Sequence, residues 1–92
     1  MSAETENTVE ISNTRGLHAR AAAKVVKTTE NFECDIFIRK DDMTVTGQSI
    51  MGLLMLGAAK GSFVTISASG KDSAQAVAAL TDLIENKFGE DQ

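Results

Sequence analysis

Val9 and Ile11 alternate with Thr8, Glu10 and Ser12, a period of two that predicts a half-buried strand. The polar residues 1–7 ahead of it predict a flexible N-terminal tail. From His18 to about Thr29 the spacing turns helical, with Ala19, Ala22, Ala23 and Val26 on one face. CDIFIR (34–39) and MTVT (43–46) read as two strands joined by a polar turn at Lys40, Asp41 and Asp42, short enough for an antiparallel hairpin. Ser49 opens a short apolar helix, SIMGLLMLGA. SFVTISA (62–68) alternates again, with Val64, Ile66 and Ala68 on one side and Phe63, Thr65 and Ser67 on the other. Past Gly70, Asp72 with Gln75 resembles a capping box, and Val77, Leu80, Ile84 and Phe88 form the stripe of a last helix reaching about Phe88.

The order β-α-β-β-α-β-α predicts an α+β open-faced sandwich, one mostly antiparallel four-stranded sheet with helices over its single apolar face. One domain is expected over residues 8–88, between the tail at 1–7 and a C-terminal tail at 89–92. A chain of 92 residues cannot enclose a large substrate, so its site is expected on the surface. Apolar residues at 42% and charged residues at 24% fit a folded protein. No apolar run reaches the length of a membrane span and the N-terminus lacks the pattern of a signal peptide, so a cytoplasmic protein is expected. The net charge of −4 and the absence of Trp and Tyr argue against a nucleic-acid partner. Cys34 stands alone, which excludes an internal disulfide, and no Cys/His spacing suits zinc. Its place in the CDIFIR alternation predicts a buried thiol, and neither metal nor cofactor is expected.

The one histidine, His18, falls where the first strand hands over to the first helix. Gly16 frees the backbone just before it. A helix N-terminus offers N–H groups without intrahelical acceptors and a positive dipole end, worth about 0.3–1 kcal/mol to an anion. Arg15 and Arg20 add charge-assisted donors, making a local basic spot on an acidic protein, and neutral imidazole near pH 7 presents a nucleophilic nitrogen. A phosphoryl group would be well received there. Gly-x-His-x-Arg alone is a weak pattern, and a lone histidine at a helix start is commonly a cap or a surface residue.

Gly16-Leu17-His18-Ala19-Arg20 resembles the active-site signature of the HPr-type phosphocarrier proteins of the bacterial phosphoenolpyruvate-dependent phosphotransferase system. Gly47 to Ala58, GQSIMGLLMLGA, resembles the same family's second signature, around a regulatory serine. The resemblance runs from about Val9 to Phe88 and implies a four-stranded antiparallel sheet with three helices on one face. It implies that His18 is phosphorylated at Nδ1 by enzyme I, that Arg20 helps hold the phosphoryl group, with Arg15, Gly16 and Ala19 in support, and that the group passes to a histidine of an EIIA-type protein. Ala21 departs from the pattern, since most members carry a proline there, a residue that fits a first helical turn. Arg15, HARAA and LLMLGAAKG are closer to the nitrogen-related branch.

Ser49 reads from its position as an N-cap; the resemblance adds phosphorylation by a serine kinase, reversed by a phosphorylase, as a regulatory expectation. On its helix Leu53 and Leu56 share one face, while Ile50, Met51 and Leu54 fall largely on another, a candidate docking patch if the leucines face inward. The sequence thus predicts a monomeric phosphocarrier that also meets regulatory enzymes. The competing reading is a non-catalytic docking module that binds target enzymes through Ile50, Met51 and Leu54 with His18 idle. A small ligand-binding domain is a third reading, for which 92 residues leave little room.

Overall fold

Strand alternation and helical stripes assemble, in the computed structural model, into β1 (Glu4–Glu10), α1 (Ala19–Thr29), β2 (Cys34–Lys40), β3 (Met43–Thr46), α2 (Ile50–Met55), β4 (Phe63–Gly70) and α3 (Ser73–Glu85). A single 3-10 turn, Lys87–Gly89, follows α3. The structure describes residues 4–92. The sheet order is β1-β4-β2-β3 with every neighbouring pair antiparallel, and three helices complete the expected open-faced α+β sandwich.

Val9, Ile36, Ile38, Val64, Ile66 and Ala68 point inward and join one apolar cluster with Ala21, Ala22, Val25, Leu53, Val77, Leu80 and Ile84. Each fully buried aliphatic side chain there contributes about 1.5–3 kcal/mol. The opposite face of the sheet is solvated, with Thr8 and Thr65 sharing a hydroxyl hydrogen bond of 2.9 Å across β1 and β4.

Several expectations need correction. Residues 4–7 are not a tail: they pair with β4 from Glu4 opposite Ser69 to Asn7 opposite Ile66. Their inward positions are Thr5 and Asn7, whose side chains bond Ser73 and Thr81 of α3 at 3.2 and 3.1 Å, so the hydropathy pattern is silent where the strand is real. Residues 1–3 of the expected tail lie outside the described residues. The buried face of α1 is Ala21, Ala22, Val25 and Thr29, leaving Ala19 and Ala23 exposed and Val26 half-buried. Four alanines among residues 19–23 define a helix without defining its face.

Asp72 stands at the α3 N-cap but makes no capping bond; its carboxylate accepts the backbone N–H of Glu33 at 2.8 Å, tying α3 to the start of β2. Cys34 is half-buried, and burial, then the charges of Asp72 and Asp35, push its thiol pKa up, which keeps it protonated. Nor are residues 89–92 a free tail. Helix α3 ends at Glu85, and Lys87, Phe88 and Gly89 all adopt left-handed φ, of 57°, 56° and 79°, turning the chain back over the N-terminal end of α1. Phe88, 0% exposed, anchors this hook in the core, Lys24 Nζ donates to its carbonyl, and the Gln92 carbonyl accepts Thr14 N–H at 3.1 Å. Phe88→Ala should cost about 3–5 kcal/mol in denaturant unfolding and free the segment beyond it.

Candidate functional site

The chain between β1 and α1 is held by backbone bonds to the loop that follows α2. Ile11 N–H donates to Ser62 at 2.8 Å, Gly61 N–H to Ile11 at 2.7 Å, and Leu17 N–H to Ala58 at 2.9 Å. Gly16 adopts φ +66°, and a Cβ there would lie 2.6 Å from the Ala58 carbonyl oxygen, so both conformation and space require glycine. His18 is the extended N-cap of α1 (φ −90°, ψ −179°), its N–H donating to Gly16 O at 3.0 Å. The first helical bond runs from Ala22 N–H to His18 O at 2.8 Å, which leaves the N–H groups of Ala19, Arg20 and Ala21 without intrahelical acceptors.

The His18 ring is half-buried, and its Nε2 meets Glu90 Oε2. The other carboxylate oxygen, Oε1, accepts from Asn13 Nδ2 at 3.0 Å, and the same Nδ2 reaches Gly16 O at 2.8 Å. Hydrogen bonds from His18 and then Asn13 hold the Glu90 carboxyl below the usual carboxylate range; burial opposes the shift, and the charges of His18 and Arg15 add to it. An ionised carboxylate only accepts, so the neutral ring carries its proton on Nε2 and its lone pair on Nδ1.

Of the residues the sequence singles out, Arg15, Gly16, His18, Ala19 and Arg20 gather at this helix start. Arg15 and Arg20 are exposed, and among the described residues neither forms an ion pair. Ser49, the N-cap of α2, belongs to a second locus; its Oγ accepts Gly52 N–H at 3.0 Å. Leu53 and Leu56 enter the core, while Ile50, Met51 and Leu54 are exposed together with Met55. Two shallow grooves, of about 480 and 290 Å³, are lined by Lys40, Asp41, Asp42, Met43 and Leu56 and by Lys24, Lys27, Thr28, Asn31 and Leu83, so neither includes His18. The histidine is presented on the surface.

Sequence reasoning did not reach Glu90, Asn13 or Met55. Glu90 lies 72 residues from His18, in a segment with no periodicity to place it. Asn13 could have been noticed as a polar residue just after the apolar Ile11, at the turn into Gly16.

A histidine at the open N-terminus of a helix, on a four-stranded open-faced sandwich, can be set beside known proteins, and those it resembles are small carrier proteins. The family model described as the PTS HPr component phosphorylation site matches residues 5–86. A phosphocarrier protein HPr of Neisseria meningitidis is 47% identical over 85 residues, covering 92% of this chain and 96% of its own. A phosphocarrier protein NPr of Klebsiella oxytoca is 40% identical over 87 residues, covering 94% and 97%. The crystal structure of HPr-C-His from Thermoanaerobacter tengcongensis is similar at a TM-score of 0.91 and 48% identity, over 96% of this chain and 99% of that one. The chain belongs to the HPr family, the phosphocarriers of the phosphotransferase system.

Because the folded pKa of Glu90 is lowered, the stability its carboxylate contributes is fully present above its unfolded value and lost as pH falls through the folded one. Thermal unfolding of the wild type and of Glu90→Gln should therefore differ near neutral pH and converge in acid. Equal midpoints at neutral pH would show the contact to be energetically empty.

Proposed function

We propose that His18 accepts a phosphoryl group at Nδ1 from an enzyme I-type phosphotransferase, itself charged by phosphoenolpyruvate, and passes it to a histidine of an EIIA-type protein. The observation that carries this reading is the engagement of Nε2 by Glu90, which directs the lone pair of the neutral ring to Nδ1. The Nδ1 lone pair attacks phosphorus as the bond to the donor histidine breaks, and the ring, keeping its Nε2 proton, becomes positive. Glu90 faces that proton and supports the charge. A protonated ring is also a good leaving group, which suits onward transfer. Arg20 and Arg15 supply positive charge to the phosphoryl oxygens, the backbone N–H groups from Ala19 onward are the supporting donors, and Gly16 shapes the turn that presents them. The site is completed by the partner, since neither of the two shallow grooves includes His18. A monomer suits a shuttle that shows the same small surface to successive partners, and Arg15 with the HARAA run favours a nitrogen-related circuit.

The exposed Ile50, Met51 and Leu54, with Met51 71% exposed, favour a docking role for α2 beside the transfer site. Methionine repacks readily and suits a surface that meets several partners, regulatory enzymes among them. Phosphorylation of Ser49 by a serine kinase would add about −1.5 to −2 charges beside this patch, weakening docking to an acidic surface without dismantling the fold.

Incubation with phosphoenolpyruvate and a cognate enzyme I, followed by intact mass, should show one added phosphoryl group that is lost in mild acid and absent from His18→Ala. No transfer from an enzyme I that charges another carrier would leave the docking-module reading. Met51→Glu should weaken enzyme I binding measured by titration calorimetry and leave the unfolding midpoint nearly unchanged; a large loss of stability would make Met51 a core residue instead.

A further inference from the structure

Asn13 is fully buried, and its two polar atoms have opposite fates. Its Nδ2 serves two acceptors, the Gly16 carbonyl at 2.8 Å and Glu90 Oε1 at 3.0 Å, whereas its Oδ1 has no hydrogen-bond partner among the described residues. Both acceptors lack a proton to give, so the amide can only be oriented with its NH2 group toward them. An amide that leaves a buried oxygen unpaired is a poor choice for stability alone. What its NH2 group holds are two polar neighbours of His18: Gly16 O, which accepts the His18 backbone N–H, and Glu90, which meets the ring at Nε2.

We infer that Asn13 is a positioning residue, fixing the Glu90 carboxylate so that Oε2 accepts the hydrogen bond from Nε2–H of His18 and the nucleophilic lone pair stays at Nδ1. Glu90 sits on the last few residues of the chain, beyond a hook of three left-handed residues, and its side chain has several rotatable bonds. One acceptor contact to an imidazole leaves such a carboxylate free to swing about the Oε2 contact. The second contact, from Oε1 to a side chain locked in the core, fixes its plane and with it the plane of the ring. The order Asn13, Glu90, His18 has the logic of any amide or carboxylate that orients a histidine through its second nitrogen. The consequence for phosphoryl transfer rests on the function proposed above; the effect on the ring does not.

With only one histidine in the chain, long-range 1H–15N correlation of the imidazole reads the tautomer directly. Above the ring's titration the wild type should be predominantly Nε2–H. Asn13→Ser and Asn13→Ala should each raise the Nδ1–H population, Glu90→Ala should do the same, and the double variant should do no more than Glu90→Ala alone. In phosphoenolpyruvate-driven transfer, Asn13→Ser should lower the kcat of enzyme I acting on this carrier about tenfold with its KM for the carrier little changed, the size expected of a residue that orients a reacting group through another. If replacing Asn13 unfolds the protein, the Asn13 side-chain amide resonances decide: they should shift in Glu90→Ala and again when His18 is phosphorylated. A wild-type tautomer ratio in a folded Asn13 variant, or Asn13 amide resonances unmoved in Glu90→Ala, would overturn the relay. A normal tautomer pattern in a wild-type protein that accepts no phosphoryl group would instead overturn the proposed function and leave the relay standing.

Discussion

Strand β4 is the constraint on which the rest depends. It is the one strand hydrogen-bonded along both edges for most of its length, to β1 and to β2, and its inward residues Val64, Ile66 and Ala68 are at most 2% exposed. A residue slip in its register would turn those side chains outward and bring Phe63, Thr65 and Ser67 in. The loop between α2 and β4 holds Ile11 through Gly61 and Ser62 and Leu17 through Ala58. The start of α1 is therefore placed by backbone hydrogen bonds to segments whose position the sheet has already fixed. The geometry of the turn that carries His18 is thus set from behind.

That arrangement brings an electrostatic conflict that the site turns to use. Glu90 is negative and stands beside a ring that, on the proposed function, takes up a dianionic group. Placed at Nδ1, the carboxylate would repel the phosphoryl group and compete for the same donors. Placed at Nε2, on the other side of the ring, it opposes the incoming charge only at a distance, while Arg15, Arg20 and the free N–H groups of α1 lie at the helix start. Short-range stabilisation of a positive imidazole then outweighs long-range repulsion, since solvent screens the second more than the first. The hook at Lys87, Phe88 and Gly89 is what turns the chain so that this side of the ring is the one approached. Left-handed backbone at Lys87 and Phe88 is costly for residues other than glycine, and burial of the Phe88 ring offsets it.

The sequence was informative where one face of an element is apolar and the other is not. In β2 and β4, Ile36, Ile38, Val64 and Ile66 alternate with polar or exposed neighbours, and the strands, their hairpin and the sheet class follow. Helix α1 was legible as a helix but not in rotation, because an alanine run carries no contrast. The first half of β1 was illegible because its inward positions, Thr5 and Asn7, are satisfied by hydroxyl groups of α3 rather than by burial. The site divides the same way. His18, Gly16 and the two arginines are local to one turn and could be read in order. Asn13 and Glu90 meet only across 77 residues of chain, through a contact that no periodicity encodes.

Ala21 shows how much of the rigidity of a helix start can be supplied from outside it. A proline at this position would pre-set φ and limit the unfolded chain, an effect worth about 0.4–1 kcal/mol where the native conformation suits it. Alanine gives that up. In return it keeps an N–H group at the third helical position, one more donor at the open end of α1. The side chain is 0% exposed, so the first turn is pinned by packing through Ala21 and Ala22 as well as by Leu17 N–H on Ala58 and Asn13 on Gly16. With those four restraints around one turn, the stiffness a ring would bring is already present. The difference falls on the unfolded chain more than on the site, and a proline at 21 would raise stability while removing a donor from the place proposed for the phosphoryl group.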